Sequence, residues 1–286
     1  MKLIKQSYEI LEQPYQLGGI YKQIELAGRN CYKSEDKITE FSAVEFTKRM
    51  IKANHGAMLE HGTVYLKVND WVVGDKYTYN DYTRVTKRNT EFDEEYYITT
   101  NMRVLFENGW FRDLRYLCEP TEFHEKRITV KFTTSNSIMR ELTRHRKMSF
   151  AIESTRYCNY NKDKFDNQIT FIQPYWFTHD CAGEYPNKLI ILKNTPIDNY
   201  TPEENLFLMY LLEIEERYMD LINLGLKAQE AREILPLATK CDMIVTGFVS
   251  DWKHLFNLRC DKAAHPDMRN LINPLKEEFI ERELLK

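Results

Sequence analysis

The chain has 286 residues, of which 43% are hydrophobic and 29% are charged, and its formal net charge at pH 7 is -3. This composition predicts a globular protein with a sizeable core and excludes a disordered or broadly cationic chain. No run of 18 apolar residues occurs, so no membrane span is expected. Six cysteines without a CxxC pair, and a start without the apolar run of a signal peptide, favour a reduced, cytoplasmic protein without a disulfide framework or a metal site.

The first half of the chain is predicted to contain a helix and a strand, followed by a segment of different character. The helix is predicted in "FSAVEFTKRMIKANHG", with a capping box from Ser42 and Glu45 and a stop at Gly56. "TVYLKVN" alternates as a strand does. Residues 70–125 are rich in Tyr, Asn, Asp and Glu and hold one short helix, "NMRVLFENG", which Gly109 ends. We interpret this segment as an insertion packed on the main body.

The second half of the chain is predicted to mix strands and helices. Strands are predicted in "RITVKFTTS", "QITFIQP" and "CDMIVTGF", and helices in "NSIMRELTRH", "TPEENLFLMYLLEIEERYMDLINLGL", "KAQEAREILP", "SDWKHLFNLRC" and "DMRNLINPLKEEFIERELL". The longest helix begins with the N-terminal signature Thr201, Pro202 and Glu204, and Pro274 lies inside the last. These elements predict an α+β fold, with a modest mixed or antiparallel sheet flanked by helices.

The stretch "LTRHRKMSFAIESTRYCNY" concentrates hydrogen-bond donors in a nearly neutral chain. If the chain is extended from residue 144 onward, Arg144 and Arg146 share one face and His145 lies on the other, while Ser154 and Arg156 also share a face. Because a guanidinium group matches phosphate oxygens bidentately, the pattern indicates a discrete anion site. A solvated basic turn would give the same pattern.

Two further arginines stand among apolar neighbours, Arg232 in "AREILP" and Arg259 in "HLFNLRC". An arginine is rarely buried without a partner, because an unpaired buried charge costs several kcal/mol. Each side chain is therefore expected either to form a salt bridge or to meet a substrate anion.

The motif resembles the signature of the flavin-dependent thymidylate synthases, the ThyX family, which is Arg-His-Arg, seven residues and then Ser. Arg144, His145, Arg146 and Ser154 satisfy it within "RHRKMSFAIESTRY". "ELAGRNCYKS", "NHGAMLEH", "AREILP" and "DWKHLFNLR" are similar to further family segments in the same order. The resemblance covers most of the chain except residues 70–125 and about 161–200.

The resemblance implies a single ThyX-like catalytic domain over residues 1–286, with the insertion at about 70–125. It also implies an enzyme that makes dTMP from dUMP, with 5,10-methylenetetrahydrofolate as the one-carbon donor and NADPH as the reductant acting through FAD. Further implications are a homotetramer with shared active sites, and no membrane or nucleic-acid partner.

The resemblance assigns roles to individual residues. Arg259 is the implied catalytic residue at the uracil edge. The implied dUMP-binding residues are Glu141, Arg144, Glu153, Ser154, Thr155, Arg156, Arg232 and Arg259, with Ser154 and Arg156 at the phosphate. The implied FAD-binding residues are His55, Arg144, His145, Arg146, Glu153 and His254. No GxGxxG fingerprint occurs, so side chains and backbone amides are expected to hold the FAD pyrophosphate.

Three positions depart from the family pattern. Glu141 replaces a glutamine of some members, so it is expected either to repel a phosphate or to pair with an arginine. Phe248 replaces an asparagine near the flavin, and Ala57 replaces a hydroxyl residue.

Two other functions stay open. The enzyme could act on a related pyrimidine nucleotide or install a hydroxymethyl group. Alternatively, the Arg-His-Arg patch and the Tyr-rich "KYTYNDYTRVTKR" could bind nucleic acid.

Overall fold

The computed structural model describes residues 1–89, 94–185 and 200–285. In these ranges the strands are β1 (Lys2–Ile4), β2 (Ser7–Leu11), β3 (Thr63–Val68), β4 (Arg84–Asn89), β5 (Glu94–Asn101), β6 (Arg127–Ser135), β7 (Ser149–Ile152), β8 (Thr170–Ile172), β9 (Gly183–Glu184) and β10 (Lys240–Phe248). The helices are α1 (Leu17–Tyr32), α2 (Ser42–Lys52), α3 (Gly56–Leu59), α4 (Trp71–Thr78), α5 (Met102–Glu107), α6 (Asn136–Leu142), α7 (Pro202–Asn223), α8 (Ala228–Ala231), α9 (Val249–Arg259) and α10 (Pro266–Glu281).

The strands of the described ranges form three small sheets. The central sheet is antiparallel with the order β2-β6-β10-β7, and β6 pairs with β10 along its whole length, from Ser135–Lys240 to Arg127–Phe248. A second antiparallel sheet has the order β3-β5-β4. In the third sheet, β1 is parallel to β8 and antiparallel to β9. The predicted α+β class with mixed or antiparallel sheets is therefore confirmed.

The central sheet is covered on both faces, which explains the continuous apolar run of β10. On one face, Val245 belongs to a core that includes Trp252 of α9 and Phe279 of α10. On the other face, Ile244 packs with Ala27 of α1. A strand buried on both faces needs apolar side chains at successive positions, not at alternate ones. This packing fixes α9 against the sheet and so positions the residues at its C-terminal end.

Residues 70–125 supply two strands of the second sheet and part of its core. β5 pairs with β3, which lies outside the segment. Tyr77 and Tyr96 are buried in this core, whereas Tyr79 and Tyr82 are exposed. The short predicted helix is confirmed as α5, and Gly109 follows it with a φ of 69°, a conformation that glycine adopts without a steric cost.

The predicted ends of two helices are wrong. Ser42 is the first residue of α2 and does not cap it, because its hydroxyl donates a hydrogen bond to Glu25 at 2.7 Å. Gly56 begins α3 and does not end α2. The helix predicted in "KAQEAREILP" is only α8, which is followed by a 3₁₀ turn over Arg232–Ile234.

Thr201 and Glu204 form the predicted capping box at the start of α7. The Glu204 N–H donates to the Thr201 hydroxyl at 3.2 Å, and the Thr201 N–H donates to the Glu204 carboxylate at 2.9 Å. This reciprocal pairing satisfies two backbone donors that the first helical turn leaves free.

None of the helices in the described part of the chain is both long and apolar enough to cross a bilayer. The six cysteines are free thiols. Within the same residues, no group of three or more His, Cys, Asp or Glu side chains is arranged to hold a metal ion.

Candidate active site

The Arg-His-Arg triplet lies in a tight turn between α6 and β7. The Arg144 N–H donates to the Glu141 carbonyl at 3.3 Å, and the Met148 N–H donates to the His145 carbonyl at 3.0 Å. The condition of an extended chain from residue 144 onward is therefore not met at the triplet. The chain must reverse here, since β7 returns to pair antiparallel with β10. The turn places Arg144 and Arg146 in solvent and buries His145.

Arg259, the last residue of α9, is fixed against this turn by three hydrogen bonds. Its Nε donates to His145 Nε2 at 3.0 Å, one terminal nitrogen donates to the Glu141 carboxylate at 2.9 Å, and the other donates to the Glu141 carbonyl at 2.7 Å. A guanidinium group carries five N–H donors, so two remain for a ligand. Of the two possibilities for Glu141, pairing with an arginine is the one that the structure shows.

His145 is held in its neutral form. Burial lowers its pKa to about 4, and the charges of Arg259 and His254 act in the same direction. Because Nε2 accepts the hydrogen bond from Arg259, the proton of the neutral ring is on Nδ1. His145 therefore orients the guanidinium group of Arg259 and does not add a charge of its own near neutral pH.

These residues open into a cleft of about 930 Å³, which we call the Arg259 cleft. Its lining residues come from the turn and from α9, and they are Thr143, Arg144, His145, Arg146, Lys147, Met148, Asp251, His254, Leu258 and Arg259. Arg144, Arg146 and Lys147 are exposed and form no ion pair with any described residue. The ring of His254 lies 5.9 Å from that of His145. The structure thus brings four predicted FAD-binding residues together with the predicted catalytic arginine.

A second cleft, the Arg232 cleft, lies at the other end of α6 and has a volume of about 370 Å³. Its lining residues are Asn136, Met139, Arg140, Thr155, Arg232, Glu233, Leu235, Pro236 and Leu237. Arg232 contacts only the carboxylate of its neighbour Glu233, at 3.6 Å, among the described residues. The guanidinium group of Arg156 donates to the side-chain oxygen of Gln229, in α8, at 3.4 Å. Arginines with so few partners leave most of their donors available for an anion.

Ser154 lies in the turn that carries Thr155 and Arg156. Its N–H donates to the Cys31 carbonyl at 3.0 Å, and its own carbonyl accepts from the Tyr157 N–H at 3.0 Å. The segment is therefore not extended here, and the argument for a shared face of Ser154 and Arg156 does not apply. The turn instead brings Thr155 into the Arg232 cleft.

Glu153 is buried away from both clefts in a network of charges. Its Oε2 accepts from Lys240 Nζ at 2.6 Å and from the Asp242 N–H at 3.1 Å. Lys240 and Lys33 in turn donate to the Asp242 carboxylate. Burial acts to raise the pKa of Asp242, yet the charges of Lys240 and Lys33 hold it well below its ordinary range. Glu153 lines neither cleft within one chain, and its predicted contacts with dUMP and FAD stay a prediction.

His55 is exposed at the start of α3 and lines neither cleft. Ala57, two residues further on, is also exposed. Phe248 is 4% exposed, and the centre of its ring lies 4.4 Å from the guanidinium group of Arg84 and 5.4 Å from that of Arg127. Its ring is therefore buried beside two cations and presents almost no surface to a flavin in this chain.

Sequence reasoning missed several residues that line the two clefts. Lys147 directly follows the triplet, and Asp251 and Leu258 share a face of α9 with His254, at helical spacings of three and four residues. Arg140 precedes Arg144 by four residues and lines the Arg232 cleft. Helical spacing from a predicted site residue was the signal that could have found them.

Residues 119–282 match the sequence model of a family described as "Thymidylate synthase complementing protein". The chain belongs to this family. The matched residues contain every predicted site residue except His55. The fold and both arginine clefts are therefore those of a member of this family, whereas Arg84 and most of residues 70–125 lie outside the match.

Similar curated proteins carry a more specific name. One is a "Probable flavin-dependent thymidylate synthase" of Paramecium bursaria Chlorella virus 1, 27% identical over 157 residues, covering 54% of this chain and 66% of that protein. Another is a "Flavin-dependent thymidylate synthase" of Halobacterium salinarum, 26% identical over 145 residues, covering 49% and 57%. The chain thus spans less than two thirds of the length of these relatives.

Among solved structures, the chain is similar to the UMP/dUMP methylase PolB from Streptomyces cacaoi bound with 5-Br UMP. The two share 13% sequence identity with a TM-score of 0.44, over 98% of this chain and 92% of that one.

Proposed function

We propose that this chain is a flavin-dependent thymidylate synthase that converts dUMP to dTMP. In this proposal FAD is the cofactor, NADPH is the reductant and 5,10-methylenetetrahydrofolate gives the one-carbon unit. The observation that carries it is the fixed guanidinium group of Arg259 at the wall of a cationic cleft, with a second arginine cleft lined by residues of α6.

The Arg259 cleft suits a dinucleotide. Its volume of about 930 Å³ is at the upper end of small-molecule sites, which span roughly 300–1,000 Å³. Arg144, Arg146 and Lys147 present charged donors without described ion-pair partners, and such groups bind the oxygens of a pyrophosphate well. These three side chains and the neighbouring His254 would hold FAD. When bound, the flavin supplies the redox chemistry, and the protein supplies binding, orientation and electrostatics.

Arg259 would stabilise negative charge on the uracil ring. Carbon 5 of uracil is a poor nucleophile, and it becomes a better one when negative charge at N3 and its flanking oxygens is stabilised. Two N–H groups of Arg259 remain free for this, while Glu141 and His145 hold the other three. A donor fixed in this way needs no reorganisation during the reaction and is typically worth about 2.7–4 kcal/mol. No enzyme nucleophile is required, so Ser154 is assigned to the phosphate.

The Arg232 cleft would bind the phosphate of dUMP. Thr155 and Arg232 line it, and Arg156 lies next to it through Gln229. Guanidinium groups and a hydroxyl are the donors that a phosphate dianion binds most strongly.

The two clefts have no described lining residue in common. This separation supports a homotetramer in which the Arg259 cleft of one copy and the Arg232 cleft of another act on the same nucleotide. Symmetric homo-oligomers commonly build sites across their interfaces in this way.

The function is tested by assaying the purified protein with dUMP, 5,10-methylenetetrahydrofolate, FAD and NADPH, leaving out one component at a time. We expect a yellow protein with an absorbance band at about 450 nm and dTMP formation that requires all four components. Formation of dTMP without FAD, or none in the complete mixture, would contradict the proposal. UMP in place of dUMP serves as the control for the choice of nucleotide.

The shared site is tested by mixing two variants, Arg259→Ala and Arg232→Ala, at a dUMP concentration far below the Kd of Arg232→Ala, where neither variant alone has appreciable activity. If each site takes one cleft from each of two copies, random mixing restores about a quarter of the wild-type activity. If both clefts of one chain act together, the mixture stays inactive.

A further inference from the structure

Arg84 on β4, within residues 70–125, lies close to Asp251, which lines the Arg259 cleft. Its guanidinium group lies 4.4 Å from the centre of the Phe248 ring. It also lies 3.5 Å from the Glu125 carboxylate and 3.9 Å from the Asp251 carboxylate. Arg84 is outside the residues that match the family, so neither the family nor the sequence motif gives it a role.

The groups that Arg84 touches are those that fix the start of α9. The Phe248 N–H donates to the Asp251 carboxylate at 3.2 Å, and the Ser250 N–H donates to the Glu125 carboxylate at 2.9 Å. These are backbone donors that the first turn of a helix leaves without partners. α9 in turn carries His254, Leu258 and Arg259 into the cleft. A change in the position of Arg84 would therefore act on the start of α9, the helix that carries these cleft residues.

The charge of Arg84 also matters to the cleft. Asp251 is the one carboxylate among the described residues that line the cleft, where it faces a set that includes Arg144, Arg146 and Lys147. An uncompensated carboxylate here would repel an anionic ligand and attract the cations that should bind it. Arg84 offsets that charge from outside the cleft, with its side chain 30% exposed.

We infer that Arg84 is a positioning residue for the anionic cofactor of the Arg259 cleft. It neutralises Asp251 and packs on Phe248, so that the start of α9 is fixed and the cleft stays cationic. The inference rests on the proposed function, because it takes FAD as the ligand of this cleft. It gives residues 70–125 a part in cofactor binding.

The first test is the Kd of FAD, measured by flavin fluorescence on the full-length protein. We expect Arg84→Gln to weaken FAD binding about tenfold, because it leaves the Asp251 charge without a partner. Arg84→Lys keeps the charge and should recover most of the affinity. Arg88→Gln is the matched control, since Arg88 lies on the same strand but packs over the Phe123 ring at 4.0 Å. Its Kd should equal that of the wild type.

The second test separates the charge from a merely structural role. If Arg84 acts by offsetting Asp251, the double variant Arg84→Gln/Asp251→Asn should bind FAD within about twofold of the wild type. The difference between Arg84→Gln and the wild type should also shrink in high salt, since the Debye length falls from about 10 Å at 0.1 M to about 3 Å at 1 M. Asp251→Asn alone should bind FAD at least as tightly as the wild type, and this result does not depend on whether Arg84→Gln folds.

Three results would overturn the inference while leaving the proposed function intact. They are unchanged FAD affinity in Arg84→Gln, an equal loss in Arg88→Gln, and weaker binding in Asp251→Asn. Failure of the wild-type protein to bind FAD would instead contradict the proposed function, and the inference would fall with it.

Discussion

The guanidinium groups of the two clefts are held very differently. Arg259 makes three hydrogen bonds to Glu141 and His145, and its side chain is 16% exposed. Arg232 contacts only an adjacent carboxylate among the described residues, and its side chain is 40% exposed. A fixed donor suits a charge that develops during a reaction, because it needs no reorganisation. A less constrained donor suits the binding of a phosphate, whose charge is present before the reaction begins.

The two clefts also differ in the residues that lie beneath them. The Arg259 cleft rests on the apolar core of α9 and the central sheet. The Ser154 turn beside the Arg232 cleft rests on the buried charges of Glu153, Lys240, Asp242 and Lys33. The second arrangement is sensitive to loss of a single partner, since removing one member of a buried ion pair leaves an uncompensated charge and costs about 3–5 kcal/mol.

The largest effect is expected for Lys240→Ala. It leaves the carboxylate of Glu153, whose side chain is 1% exposed, without its cation. The free energy of unfolding should fall by about 3–5 kcal/mol, as measured by urea denaturation. Lys5→Ala is the control, because Lys5 pairs with Asp180 at the surface and should lose less than about 1 kcal/mol. Similar losses in the two variants would show that the buried network does not support the turn.

Arg259→Ala should lower kcat for dTMP formation about 100- to 1,000-fold, because a fixed donor to the uracil ring is lost. FAD should still bind, since Arg144, Arg146 and Lys147 remain in the cleft. The measurement is single-turnover kinetics together with a flavin titration. Wild-type turnover in this variant would remove Arg259 from the mechanism.

Arg232→Ala should raise the Kd of dUMP about 10- to 100-fold, the loss expected for one charge-assisted hydrogen bond. Its kcat at saturating dUMP should stay close to the wild-type value. This division between Kd and kcat is the opposite of that expected for Arg259→Ala. If Arg232→Ala lowered kcat alone, the two clefts would not differ in role.

Ser154→Ala should have the smallest effect, a rise of about 2- to 10-fold in the Kd of dUMP, because a single hydroxyl donor without a charge of its own is lost. The rate at saturation should change less than the affinity. An unchanged Kd with a lost rate would instead indicate a nucleophilic serine.

The sequence predicted the elements better than the local geometry of the site. Apolar periodicity located β6, α6, β10 and α9, because burial on a sheet or helix imposes a fixed spacing. The turn at Arg144–Met148 was missed, since alternation gives the faces of a segment only if the segment is a strand. The chain turns there because β7 pairs with β10, which is distant in the sequence. A pairing of this kind leaves no signal in the residues of the turn itself.

The partners of two charged side chains could not be predicted from the sequence either. Glu141 could be predicted either to repel a phosphate or to pair with an arginine, and only the position of Arg259, 118 residues later in the chain, decides between them. Glu153 was assigned to the ligands through the family resemblance, and its partners in the chain, Lys240 and Asp242, come from β10. Pairings across a sheet depend on register, which the motif alone does not contain.

The most direct test of the division between the clefts compares the affinities of dUMP and deoxyuridine in three proteins by calorimetry. The wild type should prefer dUMP by at least about tenfold, because only dUMP carries the phosphate. Arg232→Ala should lose most of this preference, whereas Arg259→Ala should keep it. An equal loss of the preference in both variants, or none in Arg232→Ala, would contradict the assignment of the phosphate to the Arg232 cleft.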